Sequence, residues 1–133
     1  MGWVHHIDIT VSDLAVSTAF YDQVLELMGF RRIRGGGEVP LWVGDRTEVG
    51  LRQARPEHNT HDRYSPGLHH IAFGAPDRAA VNQMYEALLK LGVNILDAPA
   101  TYEQYSPGYF AVFFADPDRI KLEYVYTPVF QTE

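Results

Sequence analysis

The sequence predicts an α+β fold of two modules that share one order: strand, helix, strand, strand, strand. Three observations predict it. First, the chain writes one phrase twice, as Trp3-Val4-His5-His6-Ile7-Asp8-Ile9-Thr10-Val11-Ser12-Asp13 and as Gly67-Leu68-His69-His70-Ile71-Ala72-Phe73-Gly74-Ala75-Pro76-Asp77. Second, in both copies a His-His pair opens the segment, and the second histidine stands seven residues before an aspartate suited to cap a helix. Third, each copy is followed by an apolar stripe at helical spacing that stops at a glycine, Gly29 or Gly92, and then by three short strand-like runs. A chain that repeats its grammar is built from two similar units.

Taken in order, His6 to Val11 alternates, with His6, Asp8 and Thr10 on one face and Ile7, Ile9 and Val11 on the other. Ser12 or Asp13 caps a helix expected over Leu14 to Met28, with a stripe of Val16, Phe20, Val24, Leu27 and Met28. Strands are expected over Phe30–Arg34, Pro40–Val43 and Glu48–Gln53, with turns at Gly35-Gly36-Gly37 and Gly44-Asp45-Arg46. Module one covers about residues 1–55, a polar stretch with Pro56 and Pro66 at its ends serves as linker over 56–66, and module two covers 67–133. In the second module, His70–Gly74 is the first strand and Asp77 caps a helix over Arg78–Leu91 with the stripe Val81, Met84, Tyr85, Leu88 and Leu91. Val93–Leu96, Tyr109–Phe114 and Ile120–Tyr126 are the remaining strands, with a Tyr- and Pro-rich insertion over 97–108.

Composition narrows the chemistry. A hydrophobic content of 46% supplies a core for 133 residues, and a formal net charge of −6 gives a nucleic-acid partner no electrostatic support. With no cysteine, disulfides and thiolate ligands are excluded, so any metal would rest on His, Asp, Glu or water, as suits Fe(II), Mn, Ni, Zn or Mg. No apolar run approaches membrane-spanning length and the N-terminus has no signal-peptide pattern, so a soluble cytoplasmic protein is expected.

Strand parity selects candidate ligands. On the last strand, Lys121, Glu123 and Val125 share one face, while Ile120, Leu122, Tyr124 and Tyr126 share the face expected to pack under the helix. His6 and His70 likewise point away from the faces that hold Ile7 and Ile71. If two curved sheets face each other, His6, His70 and Glu123 converge on one ion with positions open for water and substrate. A lone strand histidine more often serves a backbone carbonyl; the equivalent placement in two repeats favours ligands here. His5, His58, His61 and His69 are read as surface or loop histidines, and Arg31, Arg32 and Arg34 as a solvated edge strand.

Those residues resemble the vicinal oxygen chelate superfamily, the group of glyoxalases, bleomycin-resistance proteins and extradiol dioxygenases. The resemblance rests on His5-His6-Ile7-Asp8-Ile9-Thr10-Val11-Ser12-Asp13-Leu14 with Phe20-Tyr21, on Gly67 to Phe73, and on Phe114-Ala115-Asp116-Pro117-Asp118 leading to Leu122-Glu123. It implies paired βαβββ modules, each a curved mixed sheet with its helix outside and a divalent metal in the hollow. It places the metal ligands on His6, His70 and Glu123. Glyoxalase I-like members add a glutamate near the end of the first module. Counting from the hairpin turns puts Arg52 in that place, and a guanidinium cannot ligate a metal. Arg52 either holds an anionic substrate or pairs with Asp8 or Glu48, and glyoxalase I itself is disfavoured. Arg119 stands where the family has glycine in an Asp-Pro-Asp-Gly turn.

Trp42, Tyr105 and Tyr109 are candidates to line a substrate pocket, and Asp8 and Tyr109 are guesses for a general base. The expected function is a metal-dependent enzyme that chelates two neighbouring oxygens of a small substrate, with lyase, isomerase, epimerase, transferase or dioxygenase chemistry open. The alternatives are a metal-free module that binds a small molecule, as bleomycin-binding members do, and a scaffold with a vestigial site. Family habit implies a homodimer, with the halves pairing within one chain or swapped between two.

Overall fold

In a computed structural model, residues 1–34 and 39–129 are described. The expected Gly35-Gly36-Gly37 turn lies outside them. The chain divides into two compact units, Met1–Thr60 and His61–Glu133.

In the first unit, β1 (His6–Val11) leads to α1 (Leu14–Leu27), and β2 (Arg31–Ile33), β3 (Leu41–Val43) and β4 (Glu48–Gln53) follow. The sheet runs β1-β4-β3-β2, with β1 parallel to β4 and the other pairs antiparallel. A parallel neighbour needs a crossover connection. Here the chain crosses on α1 to the far edge and returns through two hairpins. Asp13 caps α1 by accepting from the Val16 amide at 3.1 Å. Gly29 closes the helix at φ 88°, the left-handed conformation in which a side chain is penalised.

The buried stripe of α1 is Ser17, Tyr21, Val24 and Leu25, whereas Val16 is 52% and Leu27 48% exposed. This corrects the expected stripe. The segment is apolar over much of its circumference, so hydrophobicity alone does not fix which way it turns. A close-packed serine and the large ring of Tyr21 set the phase instead.

The second unit repeats the plan. β5 (His70–Gly74), α2 (Arg78–Leu91), β6 (Asn94–Thr101), β7 (Phe110–Ala115) and β8 (Lys121–Tyr126) form the sheet order β5-β8-β7-β6. Asp77 accepts from the Ala80 amide at 2.7 Å, and Gly92 ends α2 at φ 71°. Val81, Met84 and Leu88 are buried as the spacing predicts, while Leu91 is exposed at the last turn. β6 runs on to Thr101, through what the sequence marks as insertion. It carries Pro99 because it is the edge strand, where a missing amide breaks no ladder, and its register to β7 shifts twice.

The turn before β8 is built on Asp116. Its buried carboxylate accepts from the amides of Asp118 at 2.8 Å and Ile120 at 2.9 Å. Arg119 sits at φ 66°, in the left-handed region that favours glycine. A side chain in that region costs about 1–2 kcal/mol, part of which glycine returns as unfolded-chain entropy. Arg119→Gly should therefore raise unfolding free energy by about 0.5–1 kcal/mol, read as a higher urea midpoint at unchanged slope. An unchanged or lower midpoint would show the turn to be unstrained.

Candidate metal and substrate site

The second unit gathers the densest polar chemistry. The β5–β8 pairing sets His70 opposite Lys121 and Ala72 opposite Glu123, and β7 sets Phe113 opposite Glu123. Leu122 and Tyr124 fill the helix-facing core, so Glu123 stands on the other face, as parity predicts. It is only 2% exposed, and a buried carboxylate requires partners. It has two. Its Oε2 accepts a short hydrogen bond from the Tyr109 hydroxyl, and its Oε1 lies 3.2 Å from His70 Nε2. On the other side of the His70 ring, Nδ1 lies 2.7 Å from His69 Nδ1.

Aromatic rings frame this group. Phe113 meets His70 edge-on at 6.4 Å between centroids and Tyr102 at 5.6 Å, and the Lys121 ammonium lies 4.5 Å from the Phe113 ring centre. Tyr102 stacks on Tyr105 at 5.6 Å, and Tyr105 meets Tyr109 at 5.2 Å. The structure thus brings His70, Glu123, Tyr105 and Tyr109 together, and adds Tyr102, Phe113, Lys121 and His69. The spacing of Tyr102, Tyr105 and Tyr109 was the available signal for the first of these. Phe113 sits in a run buried at every position, where no alternation marks a face.

Tyr109 is not arranged as a base. Burial, then its bond to Glu123, pushes its phenol well above the ordinary tyrosine value, so it is a neutral hydrogen-bond donor. Burial acts in the same direction on Tyr102 and Tyr124. A phenol raised on folding lends stability that is complete below about pH 10 and is lost as pH rises through the folded value. The urea midpoint should therefore fall as pH is raised above about 10, and fall less steeply in Tyr109→Phe. Equal slopes in the two proteins would contradict the assignment. His69 is shifted down, by desolvation and then by its neighbours His70, Lys121 and Arg63, which keeps it neutral.

In the first unit the same face carries His6, Asp8 and Arg52. His6 Nδ1 lies 3.2 Å from His5 Nδ1, which repeats the doublet of the second unit. His5 and His69 are exposed, as the sequence suggests, and each also meets the ring of the histidine that follows it; His58 is a loop histidine, its Nδ1 2.8 Å from the Arg55 carbonyl. Asp8 Oδ2 accepts from Arg52 Nε at 3.2 Å and lies 3.2 Å from Nη2 as an ion pair, with the Arg52 side chain 59% exposed.

Strand register corrects the equivalence drawn for Arg52. His6 pairs with Glu48 as His70 pairs with Lys121, and Asp8 pairs with Gly50 as Ala72 pairs with Glu123. The counterpart of Glu123 is Gly50. Counting from the turns fails because β4 begins three residues after Asp45, whereas β8 begins five after Asp116. A Cβ on Gly50 would stand 2.5 Å from Asp8 Oδ1, so the aspartate fills the space of the absent side chain. The two units place a carboxylate on opposite strands of the same pair.

Trp42 also departs from expectation. It is 1% exposed, pairs with Val49 on the helix-facing side, and donates Nε1–H to Asp22 of α1 at 3.0 Å. Its parity with Val49 and Leu51 places it in the core, away from the face of His6. Arg32, rather than being solvated, bonds the other Asp22 oxygen at 2.8 Å and lies 5.4 Å from the Trp42 ring centre. Trp42 does line a groove of about 460 Å³, together with Gln23, Glu26, Arg31, Arg32 and Arg34, but not one on the face of His6.

The pair His70 Nε2 and Glu123 Oε1 suits a metal. Two donors each about 2.1 Å from one ion, at angles between octahedral and tetrahedral, stand about 3.0–3.4 Å apart. The observed 3.2 Å falls within that span. Among the described residues no group of three or more His, Asp or Glu side chains is placed to hold a metal ion.

Two four-stranded units of the order βαβββ, each opened by a histidine on its first strand, define a protein of the paired-module, vicinal oxygen chelate class. The chain belongs to the Glyoxalase/Bleomycin resistance protein/Dioxygenase superfamily, whose sequence profile matches residues 3–124. It is 35% identical over 98 residues to the uncharacterised protein YqjT of Bacillus subtilis, covering 70% of this chain and 74% of that one. It resembles a solved candidate glyoxalase from Bacillus halodurans, with 31% identity, a TM-score of 0.80, and coverage of 95% of this chain and 96% of that one. A glyoxylase/bleomycin resistance protein/dioxygenase domain from a Frankia species shares the fold at 24% identity, with a TM-score of 0.78 and coverage of 95% and 98%. Among the described residues no helix is long and apolar enough to cross a membrane.

Proposed function

We propose that the chain is a metal-dependent enzyme that binds a small oxygenated substrate through two neighbouring oxygens, with His6, His70 and Glu123 holding one divalent ion. The observation that supports it most is the 3.2 Å spacing of His70 Nε2 and Glu123 Oε1, the spacing of neighbouring ligands on one ion. His6, which opens β1 as His70 opens β5, supplies the third donor, within one chain or from the partner in a homodimer. Fe, Mn, Ni, Zn or Mg fits this oxygen and nitrogen set. When bound, the ion supplies Lewis-acid stabilisation of the oxyanion or enolate that develops on the substrate.

The chain's own residues orient and exclude. Tyr109 occupies the outer oxygen of Glu123 and leaves Oε1 turned to His70. Tyr105 and Tyr109 wall one side, and Arg52, held by Asp8, offers its guanidinium to an anionic group of the substrate. The reaction is of the lyase or isomerase kind, or a dioxygenation with Fe(II). Glyoxalase I activity is disfavoured, because Gly50 supplies no carboxylate at its place in β4. A second reading, a metal-free module for an aromatic ligand, is favoured by the cluster of Tyr102, Tyr105, Tyr109 and Phe113.

Metal analysis on protein purified without a histidine tag separates the two. One ion per site, lost in both His6→Ala and Glu123→Ala, is the expected result. An ion-free protein that binds its ligand fully after His6→Ala would establish the binding module instead.

A further inference from the structure

Both modules carry a histidine doublet, and in both the two rings meet through Nδ1, at 3.2 Å for His5–His6 and 2.7 Å for His69–His70. Two neutral ring nitrogens approach this closely only when one bears hydrogen and the other presents its lone pair. The doublet is therefore a hydrogen bond whose direction depends on the tautomer of each ring.

Around His70 the direction has chemical consequences. Oε1 of Glu123, 3.2 Å from His70 Nε2, favours hydrogen on that nitrogen in the metal-free protein. In a neutral His70 ring Nδ1 is then a lone pair, and His69 donates to it from its own Nδ1. Ligation demands the reverse, since Nε2 must offer its lone pair and hydrogen moves to Nδ1. His69 then has to accept at Nδ1 and carry its hydrogen on Nε2. The two rings hold two ring hydrogens before and two after, so nothing else is consumed or released by the pair. A carbonyl or carboxylate in the place of His69 could only accept, and would leave His70 Nδ1 facing a lone pair in the metal-free state.

We propose that the first histidine of each doublet is a positioning residue that reverses its hydrogen bond when the second becomes a metal ligand, His69 serving His70 and His5 serving His6. This rests on the metal-site reading for its purpose, but its metal-free half stands on the doublet and Glu123 alone. Ligand-orienting partners of this kind are worth about 10–100-fold in metal affinity.

The test uses the full chain without a tag and zinc as the probe. Long-range proton–nitrogen NMR of the imidazoles should show His69 as the Nδ1–H tautomer and His70 as Nε2–H without metal, and both exchanged when zinc is added. Competition titration should show zinc affinity about 10–100-fold lower in His69→Ala. It should be largely restored in His69→Asn, whose amide can donate or accept near the place of Nδ1. An unchanged His69 tautomer on zinc binding, or undiminished affinity in His69→Ala, overturns the proposal. If His69→Ala does not fold, the tautomers of the unmutated chain and the affinity of His69→Asn decide. If zinc does not bind at all, the metal reading fails by itself. The pairing is then supported by a metal-free His69 in its Nδ1–H tautomer and overturned by Nε2–H.

Discussion

Glu123→Gln should abolish stoichiometric metal binding while leaving the metal-free protein as stable as before, within about 1 kcal/mol. The carboxamide is close in shape to the carboxylate and meets the same neighbours. Its oxygen accepts from Tyr109, and its NH2 donates to His70 Nε2 once that ring takes its Nδ1–H tautomer and His69 accepts at Nδ1, so no buried polar atom is left unpaired. What it removes is the negative charge, and a neutral amide is a far poorer ligand for a divalent cation. The native carboxylate is costly to bury at 2% exposure, and such a cost is commonly carried at a functional position. Isothermal titration with zinc or nickel and a urea melt of the metal-free protein check both halves. Retained affinity would remove Glu123 from the site, and a large loss of stability would make it structural.

Asp116→Ala should cost about 2–3 kcal/mol of unfolding free energy, the largest stability loss expected from one substitution outside the apolar core. One carboxylate oxygen serves two amides, those of Asp118 and Ile120, and the second is buried. Alanine leaves both donors unpaired at the bend that delivers β8, and each orphaned donor costs about 1–3 kcal/mol before relaxation. Asp116→Asn keeps an acceptor and should lose less than about half as much. Since Glu123 follows the same turn by a few residues, the alanine variant should also weaken metal affinity. A midpoint shift shared equally by the two variants would show that charge, rather than the hydrogen bonds, matters there.

Much of this was legible in the sequence because repetition and strand parity are robust signals. The doubled His-His phrase gave the two modules, and alternation on β8 put Glu123 opposite Leu122 and Tyr124. Capping was equally direct, since Asp13 and Asp77 each bond the amide three residues on. What failed was whatever depended on counting or on hydrophobicity without a partner. Arg52 was matched to Glu123 by distance from a turn, but hairpins differ in length and only the ladder register reveals Gly50. Trp42 was read as lining the substrate pocket with Tyr105 and Tyr109; it packs with Val49 and Leu51 instead, its indole N–H held by Asp22 twenty residues earlier. The phase of α1 needed knowledge that Ser17 and Tyr21 are buried, which an apolar stripe does not contain. The doublet geometry was invisible for another reason: His5 and His69 stand just before β1 and β5, where strand parity does not say which way a ring turns.

The most direct test is anomalous diffraction from crystals of the metal-loaded chain, recorded on either side of the absorption edge of the bound ion. The account predicts one peak per site within about 2.0–2.3 Å of His6, His70 Nε2 and Glu123 Oε1, with His6 from the same chain or from its partner. A peak on other side chains, or an ion that leaves His6 or Glu123 uncoordinated, would contradict it.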